Sequence, residues 1–152
     1  MSTDGIRNAP RALILRDDRI LLLKKHDDIR GDRYALPGGA QESGETLEQA
    51  LVRECREEIG CDVMIRDLVH VADYFKPRAT VPPSTRQLVE FLFLCDVPGD
   101  YRARNGHRPD KHQVDVVWMP VSDLAEIPLL PRALARRLRD DTTSGVYWGT
   151  VQ

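Results

Sequence analysis

Glu45, Arg53, Glu54, Glu57 and Glu58 lie within one short stretch, at intervals that suit a single piece of chemistry. Residues four apart share a helix face, so Glu54 and Glu58 would project together, with Glu57 at the edge. Like charges at that spacing cost a helix roughly a few tenths of a kcal/mol per pair. Burying unpaired carboxylates costs more, on the order of several kcal/mol per ion. A solvated acidic face is one reading. The other is a carboxylate set neutralised by a hard divalent cation such as Mg²⁺, which takes oxygen ligands and keeps several waters. The neighbours separate the two: Leu47, Ala50, Leu51, Cys55 and Ile59 form one apolar stripe at helical spacing, and Glu54 and Glu58 fall inside it. These carboxylates point inward, where they need a counter-charge.

The element that must position them is legible on both sides. Leu36-Pro37-Gly38-Gly39 is a glycine turn. Thr46 followed three residues later by Gln49 is a capping box, and Gly60 is suited to a left-handed C-terminal cap. The spacing predicts a helix from Leu47 to Ile59.

The stretch Gly39 to Cys61 resembles the Nudix box, G-x5-E-x7-R-E-U-x-E-E-x-G-U with U a bulky apolar residue. Gly39, Glu45, Arg53, Glu54, Glu57, Glu58 and Gly60 fill every fixed position, and Cys55 and Cys61 take the U places, where free cysteine packs as a small hydrophobe. The resemblance implies an α/β fold, a mixed β-sheet sandwiched between helices (α/β/α). It implies hydrolysis of a nucleoside diphosphate linked to a group X, with Mg²⁺ as cofactor and Mn²⁺ as substitute. On it, Glu54 and Glu58 are metal ligands, Glu57 a direct or water-mediated one, and the Gly38 carbonyl a further ligand. Arg53 would orient a box glutamate, Glu45. The general base is not fixed by the box, and outside it Glu90 and Asp110 are the candidates.

In chain order, Arg11–Arg16 and Arg19–Leu23 read as a hairpin whose dense apolar runs imply strands covered on both faces. Lys24 to Arg33 reads as a charged loop whose basic side chains, Arg33 foremost, are candidates for reaching substrate phosphates, with Tyr34 a candidate for contacting substrate. Tyr74, Phe75 and Tyr101 are further aromatics with the chemistry to stack on a base. Residues 62–65 and 68–75 read as two strands, 76–84 as a proline-rich loop, and 86–97 as a long strand with Glu90 inside it. Residues 98–112 form a loop longer than usual, hence functional or mobile. A strand over 114–119 is followed by a helix capped by Ser122 and another opened by Pro131 and ending near Asp140. The sequence reads as one domain over 1–152, with about 1–8 and 142–152 as loose tails.

Composition sets the remaining bounds. With 41% hydrophobic and 30% charged residues the chain reads as a folded globular domain, and no apolar run approaches a membrane span. A net charge of −2 gives no general attraction to nucleic acid, so phosphate binding requires a local basic site. Three cysteines without metal-ligand spacing suggest reduced thiols in a cytoplasmic protein. The expected partner is a small nucleotide-diphosphate substrate; many members of the resembled family also pair as homodimers. Pro77, 16 residues past the box, gives a slight lean to ADP-ribose or sugar nucleotides over nucleoside triphosphates. The competing reading from another class is a nucleotide-sensing module without catalysis, although such modules usually lose a box glutamate.

Overall fold

The computed structural model describes residues 5–139 and 145–152. Strands β1 (Arg7–Arg16), β2 (Arg19–Asp27) and β3 (Gly31–Ala35) precede helix α1 (Leu47–Ile59). Strands β4 (Met64–Arg78), β5 (Ser84–Asp96) and β6 (Gln113–Pro120) follow, then a 3-10 helix (Val121–Glu126), helix α2 (Ala133–Arg139) and strand β7 (Tyr147–Val151). Among the described residues the strand order is β3-β2-β1-β5-β4-β7, with β6 on the other side of β2. The sheet is mixed: β1 runs parallel to β5 and β7 parallel to β4, while the remaining pairs are antiparallel.

The sheet separates two cores. Leu13, Ile20, Leu22 and Leu92 pack with Leu124, Leu134 and Trp148 on the α2 side. Ala12, Ile14, Leu21 and Leu23 pack with Leu51, Cys55 and Ile59 of α1 on the other. Alternate residues of β1 and β2 thus feed opposite cores, which is why these strands are apolar throughout. The result is the α/β/α sandwich.

Strands β1 and β2 pair only beside their turn, at Leu15↔Ile20 and Arg16↔Arg19. Beyond it they part, and the glycine turn takes the vacated ladder: the Ala12 N–H donates to the Pro37 carbonyl at 2.9 Å, and Arg11 bridges Gly38. The turn is therefore held by the sheet itself.

Four expectations change. The charged segment 24–33 is largely strand, because β2 and β3 pair Lys24 with Tyr34 and His26 with Asp32, and Asp32 takes contacts from both Lys24 and His26. Residues 64–78 form one strand rather than two, with pairing irregularities between Ile65 and His70. Ser122 caps nothing: Pro120 occupies the N-cap position and no side chain bonds there. The C-terminal segment is not a loose tail throughout, since Tyr147–Val151 adds a strand and buries Trp148, and β1 begins at Arg7. Met1–Asp4 and the expected helix end at Asp140 lie outside the described residues.

Candidate active site

Helix α1 carries both ends of the reciprocal cap: the Thr46 side chain accepts from the Gln49 N–H and the Gln49 side chain from the Thr46 N–H, worth about 1 kcal/mol for such an N-cap. Gly60 closes the helix at φ 74°, its N–H donating to the Cys55 carbonyl. Caps and apolar stripe fix the helix rotation, and Glu58 goes into the core with 1% exposure. Its Oε1 accepts the Gly38 N–H at 2.9 Å. Glu54 lies against the next residue, so close that a Cβ on Gly39 would sit 2.7 Å from its carboxyl carbon. At Gly38, φ 135°, a Cβ would meet the Pro10 carbonyl at 2.1 Å. Two glycines thus let backbone and two carboxylates converge.

Arg53 holds this arrangement from outside. Its Nε and Nη2 donate to Glu45 at 2.6 and 2.9 Å, and its Nη1 donates to Glu54 at 3.0 Å. The pair draws the Glu45 carboxyl down to about 2 through the Arg53 hydrogen bonds first and the Glu42 N–H second. Glu57 lies 3.6 Å from Arg53. Glu54 is raised above the ordinary carboxylate value by burial, against the pull of Arg53. Glu58 is raised well above it, again by burial, despite its bond from Gly38.

The 98–112 loop is anchored. Carbonyls at the end of α1 would otherwise be orphans, and the loop satisfies them: Tyr101 Oη donates to Ile59, the Gly106 N–H to Glu58 and the Arg108 N–H to Glu57, at 2.7, 2.9 and 2.9 Å. A Cβ at Gly106 would lie 2.3 Å from the Glu57 carbonyl. Arg16 ties the loop's other end through the Pro98 and Tyr101 carbonyls. This docking brings Asp110 to the box, where Lys25 donates to it at 2.6 Å. Burial would raise Asp110, but the charge and hydrogen bond of Lys25 hold it below the usual range. Tyr101 is accordingly a buried brace rather than a base-stacking surface.

Two hollows meet here. A smaller one of about 220 Å³ is lined by Glu54, Glu57, Glu58, Arg53 and Asp110, among others. A larger cleft of about 410 Å³ runs from Glu54 and the glycine turn past Tyr34 and Tyr74 to Lys76 and Arg86. Arg33 lines it at 7% exposure, but its Nη1 donates to Asp27 at 2.7 Å, bracing the β2–β3 turn. Glu90 is shut in at 4% exposure by Arg11, whose Nε donates to it at 2.9 Å while Nη1 donates to the Gly38 carbonyl at 3.0 Å. Burial would favour a neutral Arg11, yet Glu90, then Glu58 and Asp110, keep it charged. Phe75 and Pro77 are not among the cleft residues.

Sequence reasoning missed Arg11 and Lys76. The first had a signal: Arg11 opens the apolar run ALIL and Glu90 lies inside LVEFLFL, and parallel pairing of β1 with β5 brings these opposite charges together. Lys76 had none, whereas Lys25 was marked only as one of the basic side chains of the 24–33 segment.

The donor set suits a hard cation. Glu58 is buried with one hydrogen bond, Glu54 lies across the same turn, and burial raises both carboxyls above their ordinary value. Among the described residues no three His, Cys, Asp or Glu side chains converge on one point. A cation here would therefore take Glu54, Glu58, the Gly38 carbonyl and water, with Glu57 or Asp110 reached through water, the mixed set typical of Mg²⁺.

A mixed α/β/α sandwich with carboxylates from one capped helix packed on a glycine turn defines a class of domain. The sequence model of the NUDIX domain matches residues 6–140, and the chain belongs to that family. It is 38% identical over 132 residues to an NAD-capped RNA hydrolase, NudC, of Photorhabdus laumondii, covering 85% of this chain and 44% of that protein. It is 36% identical over 87 residues to an ADP-ribose pyrophosphatase of Methanocaldococcus jannaschii, covering 57% of this chain and 48% of that one. The chain thus spans less than half the length of these two relatives. A NUDIX hydrolase from Nitrosomonas europaea shares the fold with a TM-score of 0.69 at 20% identity, over 94% of this chain and 93% of that one. No helix among the described residues is long and apolar enough to cross a membrane.

Proposed function

We propose that the protein is a divalent-metal-dependent hydrolase of a nucleoside diphosphate linked to a group X. The observation that carries this reading is Glu58, a fully buried carboxylate sharing the Gly38–Gly39 turn with Glu54 at the mouth of a cationic cleft. A bound Mg²⁺ or Mn²⁺ would neutralise diphosphate charge and make a water nucleophilic near neutral pH. Arg53 fixes the rotamer of Glu54 while Glu45 fixes Arg53, so the helix offers its carboxylates preorganised. Arg11, beneath the turn, orients the Gly38 carbonyl. Of the two acids outside the box, Asp110 has a side chain 39% exposed and lines both hollows, whereas Glu90 is closed off by Arg11. This supports Asp110 as the proton acceptor outside the box. Lys25 and Lys111 sit beside it with charge suited to the diphosphate.

ADP-ribose and sugar nucleotides head the substrate panel, because one relative bears the name ADP-ribose pyrophosphatase. The test is product analysis over nucleotide diphosphates with Mg²⁺ or Mn²⁺, with and without chelator. Chelator-sensitive release of a nucleoside monophosphate is expected. Tight nucleotide binding without any cleavage would instead make the protein a sensing module.

A further inference from the structure

The larger cleft holds more positive charge than a diphosphate at the carboxylates would use. Seven of its lining residues are Lys or Arg, against Glu54, Glu90 and Asp110. Arg11 and Lys25 are committed to Glu90 and Asp110, and Arg30 and Arg33 to Asp27. Lys76 and Lys111 have no ion pair or side-chain hydrogen bond among the described residues. Lys111 borders both hollows, whereas Lys76 lines only the cleft, on the wall formed by β4 and β5.

The register makes Lys76 an odd residue to keep. It stands directly opposite Arg86 across the β4–β5 ladder, two residues beyond the Tyr74↔Leu88 pair, and both cations line the cleft. Like charges directly opposite in a ladder are destabilising. Lys76 is exposed as a residue, yet its ammonium is drawn down to about 8 by burial first and by Lys25 and Arg11 next. Asp110 and Glu90 offset this charge only in part, and an anion seated beside Lys76 would offset it further.

Resting on the hydrolase reading above, we propose that Lys76, with Arg86 opposite, forms an anion subsite for a phosphate on the X side of the substrate, beyond the scissile diphosphate. Substrates whose X carries phosphate are then preferred to those ending in a neutral sugar. The subsite orders the panel by distal charge, with ADP-ribose as the uncharged reference.

The test compares kcat/KM for ADP-ribose, ADP-ribose 1″-phosphate and ATP in wild type, Lys76→Met and Lys76→Arg. The two phosphorylated substrates separate a sugar-borne phosphate from one continuous with the chain. A hydrogen bond to a charged group supports about tenfold or more in discrimination. Wild type should therefore favour one phosphorylated substrate by at least about tenfold, Lys76→Met should abolish that preference, and Lys76→Arg should restore part of it. Equal losses on all three substrates, or no preference in wild type, would overturn the subsite. Calorimetric binding of inorganic tripolyphosphate in chelator keeps the two ideas apart. If nothing is hydrolysed but Lys76→Met weakens tripolyphosphate at least about tenfold, the subsite stands and the hydrolase reading falls. Equal tripolyphosphate binding by wild type and Lys76→Met overturns the subsite whatever is hydrolysed.

Discussion

Two adjoining hollows share Glu54, Asp110 and Lys111 and differ in how they are built. The acidic one draws most of its wall from a single turn-and-helix unit, with Glu42, Arg53, Glu54, Glu57 and Glu58 all within it. The basic cleft takes Arg11 from β1, Lys25 from β2, Lys76 from β4 and Arg86 from β5, residues far apart in the chain. In the first, helical periodicity and two caps set the geometry locally. In the second, strand order sets it, and no short stretch of sequence contains the answer. The division of labour follows: a locally encoded centre for the reaction, and a topologically encoded wall for recognition.

The sharpest way to break this contrast is at Glu58. Glu58→Gln should lower turnover at least about a hundredfold, as for loss of a preorganised ionic contact. It should leave the urea midpoint unlowered, because burial already favours an uncharged group there and the amide oxygen can still accept the Gly38 N–H. Near-wild-type turnover would remove the acidic hollow from the reaction.

A smaller effect concerns the cation. Because burial raises Glu58 and Glu54 above their ordinary value of 4.5, the metal-free protein keeps its full stability contribution from them below that value. The contribution is lost as pH rises through the raised folded-state values. A cation must displace those protons, so its apparent affinity rises with pH over the same window. The increase in melting temperature on adding Mg²⁺ should therefore grow as pH rises above 4.5; saturation near 100 times Kd corresponds to about 2.7 kcal/mol. A shift independent of pH would mean that Mg²⁺ binds elsewhere.

What was legible divides along the same line. The bounds of α1, its capping box and its Gly60 cap could be read from sequence, because each depends on residues within one or two turns. The inward placement of Glu58 followed from the apolar stripe. The two-sided burial of β1 and β2 showed in their unbroken apolar runs. The anchoring of residues 98–112 did not show: it depends on Gly106 and Tyr101 meeting carbonyls at the end of α1, contacts over 40 residues apart for Tyr101 and Ile59. Nor did the strand at 147–151, whose partner β4 lies far back in the chain. Charge-rich residues 24–33 looked like a loop because the end of β2 and the edge strand β3 carry charged side chains where an apolar run would mark a strand.

Arg33 tests where the boundary between the two hollows' tasks lies, and the expected effect is the smallest. From sequence it is a phosphate-reaching cation. In the fold its side chain is 9% exposed and bonded to Asp27, whose other carboxylate oxygen accepts the Ile29 and Arg30 N–H groups. Those backbone bonds, Arg30's first, with help from Arg33, hold Asp27 well below the usual carboxylate range. The arrangement is a brace for the β2–β3 turn, and the turn carries Arg30 to the cleft rim. Arg33→Lys keeps the charge but reaches Asp27 with different geometry. It should cost about 1 kcal/mol in urea denaturation, the scale of one internal hydrogen bond. The kcat/KM for every substrate should stay within about threefold, since the lost bond is to the protein and not to phosphate. A loss of tenfold or more confined to KM, with stability intact, would move Arg33 from brace to ligand, and the cleft would then hold two cations reading the substrate from opposite walls.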